Sequence, residues 1–255
     1  ADLATCIDQV LNDRLQVRGR ARAVDENRLR RAADARAPQL GVLGDAACHR
    51  EIGGLVVQPG VEFTPMHVHH LPRDRDPGLR AAIAHAGGVC LEAHSTDYQT
   101  PDTFPRLARM GFAFQKVGPA LTFAWRQALY ALDSLRPVAG WGTAILPPAM
   151  EALMTREPAS WQGHYHGSDA ELRLMRHVGL ADRIRYYWSH PKVAMAVDRL
   201  LANLRGLEIP LPLLYQYFPE LALRVQAGWV ENSPEALVKS RIARVYEKYL
   251  LATQP

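Results

Sequence analysis

The chain has 255 residues, 48% of them hydrophobic and 22% charged, which excludes a disordered or fibrous protein and fits one large domain or one domain with an appendage. Its net charge of +4 is basic but not extreme. Three widely spaced cysteines, Cys6, Cys48 and Cys90, form neither a disulfide framework nor a zinc-ligand pattern and suit a reducing cytoplasm.

No stretch approaches the ~18 uninterrupted apolar residues of a membrane span. The start, Ala1 to Cys6, has neither the basic nor the apolar region of a signal peptide. A cytoplasmic protein without a membrane partner is expected. Leu3, Ile7, Val10 and Leu11 recur at helical spacing, and a second run follows from Val24 to Ala37, so residues 1–37 should be helical. Arginines crowd residues 14–36. Such a run is most simply a solvated helix face; read functionally it would meet nucleic acid or an acidic partner. No aromatic residue is interleaved there, which speaks against single-stranded nucleic acid, and no nucleic-acid partner is expected.

Pro38 and Gly41 to Gly44 mark a loop. The apolar run Ile52 to Val57, stopped by Gln58-Pro59-Gly60, predicts a buried parallel strand. Residues 64–78, rich in His, Pro and Asp, read as loop. A short helix over 79–85 then leads through Gly87-Gly88 into a strand over 89–93. Thr100-Pro101-Asp102 resembles an N-cap with Pro at the first helical position, opening a helix over 102–110. A third strand follows over 112–117, and Pro119 starts a helix to Leu135. Alternation at this spacing predicts parallel βα units with right-handed crossovers.

Beyond Arg136 the pattern is helical, over 148–156, 168–187, 191–205, 212–227 and 233–252. The last is marked by Ser233 as N-cap, Pro234 at the first position and Glu235 near the positive end. The expected organisation is a helical segment 1–50, three βα units over 51–136 and a helical extension over 137–255. Three strands cannot close a (β/α)8 barrel, which takes eight strands and ~250 residues. Three parallel strands would leave free edges and should associate, so an oligomer is expected.

The chemistry-bearing residues cluster where strands end. Glu92 and His94 point to one side of an extended strand, with Asp97 just beyond. This set could bind a divalent metal, zinc or manganese, or move protons on a sugar carbon; a polar network without chemistry is the plainer reading. Lys116 and Gly118 precede a helix start, whose free N–H groups and positive dipole end suit a phosphate. A tight strand-to-helix turn is the plainer reading there. No Gly-Lys-Ser/Thr of a P-loop occurs, so ATP binding is not expected. Gln58 and Glu62 close the first strand in the equivalent place and would face the same mouth. His67, His69 and His70 could share a metal but read as a solvated loop, while His164 and His166 sit in an aromatic stretch that reads as packing. Cys90, inside a strand, reads as a small buried hydrophobe.

Three long motifs go further: Leu55 to Phe63, Glu92 to Pro101 and Lys116 to Ala124. With Trp161 to Gly167, Asp182 to Trp188 and Ile209 to Leu213, they resemble the non-catalytic Z subunit of class II D-tagatose-1,6-bisphosphate aldolase. The resemblance runs from Ile52 to the C-terminus and implies an α/β fold. Within it, the three strands would be the last three βα units of a partial TIM (β/α)8-type barrel with a helical C-terminal extension. It further implies an accessory role beside a separate catalytic subunit, in galactitol, tagatose or N-acetylgalactosamine breakdown, with a sugar phosphate nearby. Two alternatives accompany it: a metal-dependent 4-epimerase of fructose 6-phosphate or related ketose 6-phosphates, and an inactive truncated copy. The Gly-Gly-Asp-His and Gly-Thr-Glu-Val-Pro segments of the family's third and fifth strands are absent.

Overall fold

The computed structural model describes residues 54–74, 78–84 and 89–253. The helical stretch expected over 1–37, its arginines, Cys6, Cys48 and the whole 1–50 segment lie outside the described residues. In chain order the strands are β1 (Gly54–Val57), β2 (Glu62–Phe63), β3 (Val68–His69), β4 (Cys90–Ala93) and β5 (Phe112–Gln115). β4 is the centre of a parallel sheet, with β1 on one side and β5 on the other. β2 and β3 pair antiparallel, Glu62 opposite His69. Helices α1 (Leu79–Ile83) and α2 (Thr103–Arg109) follow β3 and β4. The fold is α/β, mostly helical, with a small parallel sheet.

The described chain divides into two compact units. The sheet unit holds residues 54–63, 68–118 and 247–253. Leu91, Ala93 and Phe112 project from β4 and β5 onto Leu107 and Met110 at α2, with Val61 and Leu71 closing the cluster. Each large side chain buried this way stabilises by roughly 1.5–3 kcal/mol. Residues two apart on a strand normally share a face. A register irregularity between Leu91 and Glu92 changes that: Phe112 sits opposite Leu91, while Phe114 sits opposite Glu92. Phe112 is therefore buried, and Phe114 is 52% exposed on the other face.

The other unit holds residues 64–67 and 119–246. Its helices are α3 (Pro119–Val138), α4 (Leu146–Arg156), α5 (Asp169–Val178), α6 (Pro191–Leu204), α7 (Leu211–Tyr217), α8 (Pro219–Gln226) and the first part of α9 (Pro234–Leu250). Ala124, Ala128, Leu132 and Leu135 recur at helical spacing along α3 and are buried. Asp133 on that face caps α4 from outside, accepting Ile145 N–H and Leu146 N–H at 2.7 Å. A capping box opens α5, Ser168 with Glu171, and Arg176 and His177 occupy its last turn. No described helix is long and apolar enough to cross a membrane.

Four expectations need correction. β1 is parallel but not buried: Leu55 and Val56 are each 50% exposed, because among the described residues the strand has a neighbour on one side only. Residues 64–78 are not all loop, since β3 forms there. The helix expected over 168–187 stops at Val178, followed by a 3-10 turn over Arg183–Tyr187. Gly179 marks the stop: a Cβ on it would lie 2.6 Å from the Met175 carbonyl oxygen. The helix expected over 212–227 divides at Phe218, just ahead of Pro219, which lacks the N–H an interior position needs.

Candidate functional site

Val56, Glu92 and Phe114 lie in register across the three parallel strands. They occupy the face opposite Leu91 and Phe112. On this open face His94 Nε2 lies 2.7 Å from Glu92 Oε1, with both side chains about one-third exposed. A neutral ring donating from Nε2 keeps its lone pair on Nδ1. Glu92 thus orients His94, which could take a proton at Nδ1 or bind a metal there, the carboxylate acting as the outer support that ligating histidines commonly have. A catalytic zinc takes three protein ligands, and among the described residues no group of three His, Cys, Asp or Glu side chains could hold one. The described residues by themselves do not fit a metal centre.

Beyond His94 the backbone is unusual. Ser95 (φ 55°) and Tyr98 (φ 63°) both adopt left-handed conformations without being glycine, at a cost of about 1–2 kcal/mol each. Such conformations persist where surrounding bonds over-determine them, and here they do. The buried side chains of Thr96, Asp97 and Gln99 are all engaged. Thr96 Oγ1 donates to Lys116 O at 2.7 Å. Asp97 accepts Gly118 N–H through both oxygens, at 2.9 and 3.1 Å. Gln99 donates to His69 O and accepts from Leu71 N–H, with His70 Nδ1 3.3 Å from its Oε1. Gln58 Nε2 donates to Ser95 Oγ at 3.3 Å, and Tyr98 stacks edge-on against Phe63, centroids 5.4 Å apart.

The structure therefore brings some expected residues together and separates others. Glu92 and His94 form a pair, and Gln58 reaches the turn just after it. Asp97 does not share the open face; it is 2% exposed and serves the turn. The Gly118 N–H expected to meet a phosphate meets this carboxylate instead, while the Lys116 side chain is exposed. Glu62 folds back to accept from Phe63 N–H. His69 and His70 belong to the hairpin strand and its exit, tied to Gln99. His164 and His166 are exposed, flanking the buried, stacked Trp161 and Tyr165, which fits packing. Cys90 is free and partly buried.

The family described as D-tagatose-1,6-bisphosphate aldolase subunit GatZ/KbaZ-like matches residues 23–254. The chain belongs to this family. A GatZ/KbaZ-like relative from Klebsiella pneumoniae, named D-tagatose-1,6-bisphosphate aldolase subunit GatZ, is 36% identical over 91% of this chain and 56% of its own length. A protein of Agrobacterium fabrum named D-tagatose 6-phosphate 4-epimerase is 44% identical over 78% of this chain and 46% of its own. Among solved structures, a probable tagatose 6-phosphate kinase from Sinorhizobium meliloti matches with a TM-score of 0.76 at 44% identity, covering 81% of this chain and 54% of that one. The chain spans about half the length of the relatives it matches.

Sequence reasoning about this GatZ/KbaZ-like chain missed Thr96 and Gln99, although both lie inside the motif Glu92 to Pro101. It also missed Tyr249, whose hydroxyl lies 3.1 Å from Thr96 Oγ1. No local signal links two residues so far apart in sequence.

Proposed function

We propose that this chain is an accessory subunit, supporting the activity and stability of a class II D-tagatose-1,6-bisphosphate aldolase without cleaving the sugar itself. The family match through both units carries this reading. In it, β1, β4 and β5 are the last three strands of a TIM-type (β/α)8 barrel, within 51–136, followed by a helical extension over 137–255. The sheet supports that placement. One face packs on α2, and the other, bearing Val56, Glu92 and Phe114, stands open like an inner barrel wall whose further strands are supplied elsewhere. The exposed Lys116 ammonium beside the Gly118 turn would meet a sugar phosphate, with Gln58 and Glu62 at the rim. The partner is the cytoplasmic catalytic subunit. Titrating this chain into a matching catalytic subunit should raise the rate of tagatose 1,6-bisphosphate cleavage and lengthen the half-life of the catalytic subunit's activity; no change in either overturns the reading.

One observation favours a second reading, a ketose 6-phosphate 4-epimerase: the Glu92–His94 pair at the strand end. His94, held by Glu92, would take the proton of the C4 hydroxyl as the C3–C4 bond breaks to an enediolate and an aldehyde, and return it when that bond re-forms on the other face, while Lys116 binds the phosphate. Conversion of D-tagatose 6-phosphate to its 4-epimer by this chain alone, abolished in His94→Gln, would establish it. Unchanged substrate, with zinc or manganese supplied, removes it.

A further inference from the structure

Thr96 Oγ1 carries one proton, and its two neighbours are the Lys116 carbonyl oxygen at 2.7 Å and the Tyr249 hydroxyl at 3.1 Å. The carbonyl can only accept, so the Thr96 proton goes there and Tyr249 is the donor to Thr96. The result is a directed chain from Tyr249 O–H through Thr96 O–H to Lys116 C=O, in which each bond polarises the next. Lys116 N–H in turn donates to Ala93 O at 2.9 Å. Both backbone groups of Lys116 are thus fixed, one by β4 and one by the Thr96 hydroxyl, which a phenol at the far end of the chain holds in turn.

The phenol is itself well held. Its ring packs on Phe104 with centroids 4.4 Å apart, in the last turn of α9 and ahead of the turn Leu251–Thr253, which packs on α2. Burial pushes the Tyr249 hydroxyl up from its usual value, and the nearby Asp97 charge adds to it, so the group stays protonated and remains a donor. The same Asp97 clamps Gly118. Thr96 and Asp97 therefore tie down both ends of the segment Lys116–Gly118.

We propose that Tyr249 is a positioning residue for the Lys116–Gly118 turn, setting where the Lys116 ammonium is presented to a phosphorylated ligand. This rests on the reading of that turn as a sugar-phosphate contact. Tyr249→Phe keeps the ring on Phe104 and removes only the donor. Calorimetry of the full chain with D-tagatose 6-phosphate should give about tenfold weaker binding in Tyr249→Phe, the size of one net hydrogen bond. The loss should disappear in a Lys116→Ala background, because the two residues act through one contact. A loss of equal size in that background, or no loss, overturns the proposal. Thr96→Val, which breaks the relay one step along, should reproduce the result if Tyr249→Phe fails to fold. If the unmodified chain binds no D-tagatose 6-phosphate, the phosphate reading fails by itself. Amide exchange then decides: Tyr249→Phe should speed exchange at Lys116 and Gly118 while leaving α3 to α8 unchanged, and unaltered exchange at those two amides overturns it.

Discussion

Both oxygens of the Asp97 carboxylate face one donor, the Gly118 N–H, at 2.9 and 3.1 Å. An exposed turn after a strand is thereby tied to a buried side chain 21 residues earlier. Asp97 is 2% exposed, so truncating it removes a buried, charged acceptor of the Gly118 N–H. Asp97→Ala should cost about 1–3 kcal/mol of stability, and Asp97→Asn less, since one oxygen remains. The neighbouring glycine gives the complementary test. A Cβ on Gly118 would lie 3.2 Å from Asp97 Oδ2, tighter than an ordinary contact, so Gly118→Ala should destabilise by about 1 kcal/mol. Urea unfolding of the three variants checks both; an unchanged midpoint in Asp97→Ala would contradict the clamp.

The helical unit has its own buried pair. Arg126 Nε donates to Asp182 Oδ1 at 2.9 Å, with both side chains almost wholly buried, and Thr122 Oγ1 donates to Asp182 Oδ2 at 2.6 Å. Burial pushes the Asp182 carboxyl upward against the pull of Arg126. Taking away the guanidinium strands a buried carboxylate, so Arg126→Met should cost about 3–5 kcal/mol. Asp182→Asn in that background should recover part of the loss, because the amide carries no charge. Thermal melts of the single and double variants provide the comparison, and additive losses would contradict the pairing.

Acid should weaken the same unit in two steps. His177 Nδ1 lies 2.9 Å from the Tyr130 hydroxyl, and Nε2 lies 3.0 Å from Glu151 Oε2. Burial pushes the imidazole below its usual value, against Glu151 and with help from Arg173 and Arg176. The hydrogen bond from Arg176 holds the Glu151 carboxyl below the usual carboxylate range. In both cases the unfolded chain takes up its proton at higher pH than the folded one, so stability is full above the unfolded values and falls with pH. The first loss should begin below about pH 6.5, from His177; below about 4.3 Glu151 adds a second, which protonation of Asp182, its folded carboxyl pushed up, partly offsets. His177→Gln should remove only the first step from a plot of urea midpoint against pH; a midpoint that stays level through both ranges would contradict the account.

Much of this arrangement was legible from the chain. The apolar runs and Pro119 placed the parallel strands and the helices after them, although α2 opens at Thr103 with Asp102 at its cap rather than at Pro101 after Thr100, and period-two alternation put Glu92 and His94 on one face. Pro219 and Gly179 were visible breakers inside helical runs that read as continuous. Other features had no local signal. The exposure of Leu55 and Val56 depends on which strands flank β1, and a fully apolar run does not report that. The opposite facing of Phe112 and Phe114 arises from a register irregularity, which an alternating pattern cannot express. Asp97 read as a mouth residue because its position in sequence does not reveal that Gly118 occupies its carboxylate. Tyr249 read as one more aromatic of a terminal helix, and only tertiary packing brings it to Thr96.

The accessory-subunit reading stands most directly on a measured mass. Co-expression with a matching class II aldolase catalytic subunit, followed by light scattering across a size-exclusion peak, should give one species containing both chains, with tagatose 1,6-bisphosphate cleavage in that fraction. Separate peaks, each at the mass of its own chain and with the cleavage rate unaffected by this chain, would contradict it.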